Sequence, residues 1–186
     1  MGLTKEQRAA KFAAKPQGPG LVSRGNKKLS IEEQRKIFSE LASQSNATKL
    51  MHLRSLRESL MSTPKTEANR EFEQRVYEAS VRECVEQNAL ESVPHLLGHL
   101  CHISPQIEAW RKLYCIVLSN TRQFNDALAY CACKNDEQYL MSLMLVDSPL
   151  YNTLISREQE PMARKLMSQA EHTFAGERAR LKVAYR

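Results

Sequence analysis

Long apolar runs are missing from this chain. No stretch approaches the ~20 consecutive apolar residues of a membrane-crossing helix, so no bilayer span is expected. Glycine (6) and proline (7) are scarce among 186 residues, which excludes collagen-like and low-complexity classes. Aromatic residues make up only 6%, and β-branched residues form no clusters, which argues against a sandwich or barrel. The five cysteines are odd in number and no secretory apolar segment precedes them, so a reduced intracellular set of thiols is expected rather than a disulfide framework. What is present, 42% hydrophobic and 26% charged residues, suits one globular domain. A chain of this length buries roughly 70% of its unfolded surface.

The charge is unevenly placed. Lys5, Arg8, Lys11, Lys15, Arg24, Lys27 and Lys28 face Glu6 alone in the first thirty residues and account for the whole net charge of +6. A basic tail, residues 1–29, therefore precedes a neutral body. Lys15-Pro-Gln-Gly-Pro-Gly20 reads as a flexible linker, and residues 3–15 form at most a short basic helix with Leu3, Ala10, Phe12 and Ala14. Such a tail neutralises phosphates, on RNA for example, without base specificity and with steep salt dependence. A solvated terminus and a mitochondrial transit peptide stay open as alternatives, although lysine outnumbers arginine and serine is rare. Glutamate at position 6 excludes N-myristoylation.

From Ser30 onward the 3.6-residue period dominates. Ser30 and Glu33 form a capping box ahead of Ile31, Ile37, Phe38 and Leu41. Asn46 is expected to cap a second helix with Leu50, Leu53, Leu56, Leu60 and Met61 on its face, stopped by Thr63-Pro64. A longest helix is predicted over 66–87, with Phe72, Val76, Val81 and Val85 inward and Asn88 in the left-handed position. Further helices are expected from Pro94 to Cys101, Pro105 to Ser119, Gln123 to Cys133 and over 136–146. Another is expected to start at Ser148-Pro149, and a last one to run from Arg157 to about Phe174. The expected architecture is all-α: eight or nine short antiparallel helices over 30–176, followed by a basic end at 177–186.

Candidate chemistry is sparse. His95, His99 and His102 fall at i, i+4 and i+7 on one helical face, a spacing that can chelate zinc. Gly98 weakens that helix and no glutamate sits inside the pattern, so surface histidines are expected. Cys131 and Cys133 lack the two-residue spacer of a zinc knuckle. Cys101 beside His102 diverges on a helix, and no phosphate loop, paired carboxylates or nucleophile elbow appears. No enzyme, no cofactor and no metal are expected. Met141-Ser-Leu-Met144-Leu, Trp110 and Tyr114 read as core.

Leu53-Arg-Ser-Leu-Arg-Glu-Ser-Leu60, then Phe72, then Val76-Tyr77-Glu78 with Arg82, Glu86 and Leu90, follow one another in order. Ala109-Trp110-Arg111-Lys112-Leu113-Tyr114 and a stretch from Tyr151 to Ala170 with Arg157-Glu158 come after them. Over about residues 46–172 this pattern resembles the Sac/GANP family of nuclear mRNA-export scaffolds, relatives of the PCI subunits of the proteasome lid and signalosome. The resemblance implies that Tyr77, Arg82, Arg111 and Tyr114 lock successive helical hairpins together, with Trp110 part of the same structural motif. Tryptophan stands at 110 where the family has tyrosine, and the chain reaches Arg186 without room for the family's winged-helix module, so pairing through such a module is not expected.

The expected function is therefore a non-enzymatic helical scaffold within a multi-subunit assembly, nuclear or cytoplasmic, touching RNA through its basic ends. A proteasome-lid type of subunit and a mitochondrial or ribosome-associated RNA-binding protein are the alternatives.

Overall fold

The structure, a computed structural model, describes residues 29–145, 147–170 and 176. Among the described residues every regular element is helical. Nine α-helices run α1 (Ile31–Glu40), α2 (Asn46–Leu60), α3 (Glu67–Glu86), α4 (Val93–Ile103), α5 (Glu108–Asn120), α6 (Phe124–Tyr130), α7 (Lys134–Met144), α8 (Ser148–Arg157) and α9 (Pro161–Ser168). Short 3-10 turns at Leu41–Ser43 and Leu90–Ser92 connect the first two helices and lead into α4. None of these helices is long and apolar enough to cross a membrane.

Local chemistry fixes most boundaries. The Ser30 Oγ accepts from the Glu33 amide while the Glu33 carboxylate accepts from the Ser30 amide, the reciprocal box expected from the sequence. Asn88 adopts φ 59° directly after α3, where its short polar side chain tolerates the left-handed region. Arg122 takes the same conformation between α5 and α6.

Several expected boundaries move, among them those of α7, which spans Lys134–Met144 rather than the expected 136–146. Ser45, not Asn46, is the N-cap of α2. Pro105 lies in the turn before α5, which begins at Glu108. α6 stops at Tyr130, three residues before Cys133. α8 is capped by Asp147, whose carboxylate accepts from the Leu150 amide, with Pro149 in the first turn. Arg157 closes α8 instead of opening the last helix. Glu158 and Glu160 are extended ahead of Pro161, which becomes the first residue of α9. A residue before proline is driven from the helical region, so Pro161 starts a helix rather than sitting inside one. Phe174 lies outside the described residues.

The first three helices pack antiparallel in turn, as hydrogen bonds between opposite ends record. Gln34 near the start of α1 donates to Ser59 Oγ near the end of α2 (2.9 Å), and Gln87 after α3 donates to the Asn46 carbonyl at the start of α2 (2.9 Å). The expected inward residues Phe72, Val76, Val81 and Val85 are all buried. α5 is the central element, packing on α4, α6, α7 and α9. Its Leu113, Ile116 and Val117 join Leu96, Leu97 and Leu100 of α4 and Leu166 and Met167 of α9 in the main core. A smaller core under α1 gathers Leu41, Leu53, Leu56, Leu60, Phe72 and Val76. Met61, expected on that face, is 79% exposed because the chain has already left α2.

Candidate functional site

Two of the five motif positions make ring contacts between helices. Tyr77 on α3 stacks on His99 of α4, with ring centroids 4.0 Å apart and planes 25° from parallel. Burial, reinforced by the Glu73 charge, pushes the Tyr77 phenol above its ordinary pKa. Tyr114 on α5 packs edge-on against Tyr130 of α6 (4.6 Å, 66°) and lays its hydroxyl over Gly98 of α4, where a Cβ would come within 3.0 Å. Glycine at 98 thus serves a close approach, although it weakens the helix.

The other three positions behave differently. Trp110 is buried in the main core, as packing requires, but its Nε1–H finds no acceptor among the described residues. Arg111 is half-buried, and its guanidinium makes no hydrogen bond among the described residues. Burial pushes the Cys101 thiol up to about 11, and the Arg111 charge opposes that shift only in part. Arg82 corrects the expectation outright. It is exposed and borders a groove between α3 and the start of α9, shared with Val85, Glu86, Pro161 and Lys165, instead of locking one hairpin onto the next.

The three histidines do not converge. His95 is exposed, whereas His99 and His102 border a pocket of about 350 Å³ with Lys65, Arg70, Glu73 and Ile103. Glu73 is the buried centre of this pocket. Lys65 Nζ lies 2.7 Å from both of its carboxylate oxygens and His99 Nε2 lies 3.0 Å from one. The Thr63-Pro64 stop places Lys65 ahead of α3, and the i, i+4 spacing of Glu73 and Tyr77 presents both to His99. Among the described residues no three histidine, cysteine or acidic side chains are grouped to hold a metal ion.

Sequence reasoning missed the polar ties of the C-terminal half. The Tyr139 hydroxyl on α7 donates to Asn120 Oδ1 (2.7 Å), Asn120 Nδ2 donates to the Leu166 carbonyl (2.8 Å), and the Tyr151 hydroxyl donates to the Met167 carbonyl (2.8 Å). Lys112, inside the Trp110–Tyr114 motif, forms an ion pair with Glu158 at 2.6 Å and links α5 to the turn before α9. Burial pushes the Glu158 carboxyl up. The Lys112 hydrogen bond, with backbone amides of Glu160 and Gln159, outweighs that and holds it below the ordinary value.

The methionine-rich stretch also departs from expectation. Met141, Met144 and Leu145 are 51%, 53% and 69% exposed, while Tyr139, Leu140 and Ser142 turn inward. Positions i, i+3 and i+4 share one helical face, so the end of α7 carries an apolar face turned outward. The period located a face correctly but not which face the rest of the chain would cover.

The basic residues Lys5, Arg8, Lys11, Lys15, Arg24, Lys27 and Lys28, and the basic end at 177–186, lie outside the described residues. No protein-family model, curated protein or solved structure matches the chain.

Proposed function

We propose that this chain is a helical scaffold subunit of the Sac/GANP type, holding a protein partner while its basic ends contact RNA. The observation that carries the reading is the outward apolar face of Met141, Met144 and Leu145 at the end of α7. Clustered apolar side chains on a solvent-facing helix favour a protein contact, and methionine adapts to a partner surface by its flexible, polarisable chain. The ring contacts of Tyr77 with His99 and of Tyr114 with Tyr130, across successive helix pairs, support the resemblance on which the mRNA-export assignment rests.

Capture of the tagged chain from its own cells, with and without ribonuclease, followed by mass spectrometry, tests this reading. mRNA-export or processing proteins retained after ribonuclease are expected. Proteasome subunits, or ribosomal proteins lost with ribonuclease, would move the assignment to the corresponding alternative. Deleting residues 1–29 is expected to weaken RNA binding and to flatten its salt dependence, since phosphate neutralisation sets that slope. Unchanged affinity at two salt concentrations would remove RNA contact from the tail.

A further inference from the structure

Cys115 and Cys131 meet between α5 and the end of α6. Cys115 is fully buried on α5, and Cys131 is the half-buried residue at which α6 ends. Their sulfurs are 3.5 Å apart, in hydrogen-bonding contact, and the residues are sixteen positions apart in the chain. No other pair of cysteine sulfurs is in such contact among the described residues: Cys84 and Cys101 belong to the main core, and Cys133 is exposed at the start of α7.

We propose that Cys115 and Cys131 form a reversible dithiol–disulfide site, oxidised by exchange with a low-molecular-mass disulfide such as oxidised glutathione. The roles follow from exposure. Cys131 is the sulfur an external reagent reaches, and Cys115 waits behind it, inaccessible to solvent. The Cys131 thiolate attacks one sulfur of the glutathione disulfide, that S–S bond breaks, and one glutathione leaves as thiolate and takes up a proton. Cys115, deprotonated in turn, attacks the Cys131 sulfur and expels the second glutathione. Two protein thiols are oxidised, one glutathione disulfide is reduced to two thiols, and both protein protons end on glutathione.

Burial raises the pKa of Cys131, while its hydrogen bond with Cys115 pulls the other way; burial raises that of Cys115 as well. The thiolate is the attacking species, so exchange is slow near neutrality and quickens as pH rises. Once closed, the bond ties the central helix to the connection between α6 and α7 and restricts the unfolded chain, which raises the unfolding temperature.

The test uses the full chain equilibrated with oxidised and reduced glutathione at a series of ratios and at two pH values. Acid quenching, alkylation and peptide mass mapping follow. The expected product is a Cys115–Cys131 cross-link: two alkylatable thiols and two hydrogen atoms are lost per chain, a reductant reverses the change, and the oxidised form melts higher. Cys115→Ala is expected to stop at a glutathione adduct on Cys131. Should that variant fail to fold, the map of the unaltered chain decides alone. A wild-type chain that stops at the adduct, links Cys131 to Cys133, or leaves Cys131 unreacted would overturn the proposal.

Discussion

The Tyr139 hydroxyl donates to Oδ1 of Asn120 at 2.7 Å, and the same Asn120 donates its amide to the Leu166 carbonyl. Through this pair α7, the end of α5 and the last turn of α9 share one polar junction inside an apolar core. Burial drives the Tyr139 phenol well above its ordinary pKa, so it stays protonated and keeps its role as donor. Tyr139→Phe removes that donor and leaves Asn120 Oδ1 without it, a loss expected to cost about 1–3 kcal/mol. Urea unfolding of the variant checks this; a midpoint equal to that of the unaltered chain would contradict it.

Gly98 and Tyr114 predict a coupled pair of variants. Alanine at 98 gains about 1 kcal/mol of helix propensity in isolation. Its Cβ would meet the Tyr114 hydroxyl at 3.0 Å, with Tyr130 packed against the same ring. Gly98→Ala is therefore expected to destabilise the chain. Adding Tyr114→Phe, which removes the nearest atom, is expected to recover part of the loss, about 1 kcal/mol of coupling in a double-variant cycle. Additive effects would place the clash elsewhere.

The Lys112–Glu158 pair sets a pH dependence. The folded Glu158 pKa lies below its ordinary value of 4.5, so the ionised pair contributes fully above that value and its contribution is lost as pH falls below it. Both groups are partly exposed, so the contribution is about 0.5–1 kcal/mol. Glu158→Gln is expected to lower the melting temperature near neutral pH, with the difference shrinking under acid conditions. A difference independent of pH would mean the glutamate acts by packing alone.

Arg82 and Tyr77 separate the surface positions of the motif from its packed ones. Arg82→Ala is expected to leave stability within about 0.5 kcal/mol, because the side chain is exposed. Tyr77→Ala removes the ring stacked on His99 and is expected to cost about 2–4 kcal/mol, the range of a partly buried aromatic truncation. Paired thermal melts rank the two; equal effects would contradict the geometry.

How much of this was legible in the sequence depends on whether the determinant was local. Ser30 with Glu33, Asn88 after α3 and the proline in the first turn of α4 act through their own backbone, and each was read correctly. The junction of Asn120, Tyr139 and Tyr151 joins residues up to 46 apart in the chain, and no spacing rule announces it. The same limit explains the methionines. Periodicity assigns Met141 and Met144 to a helical face, but only the way α5, α6 and α8 pack on α7 leaves them outside. The break at Glu158–Glu160 was masked because Arg157 and Pro161 both fit a single helical pattern, while the proline enforces extended backbone just before it.

The most direct measurement compares the proteins captured by the unaltered chain and by a Met141→Lys, Met144→Lys, Leu145→Lys variant from the same cells, after ribonuclease. The three side chains are exposed, so the variant is expected to keep its melting temperature within a few degrees and to lose the partner proteins that the unaltered chain retains. An unchanged partner set, from a variant that folds normally, would contradict the assignment of this face as the docking surface of a scaffold.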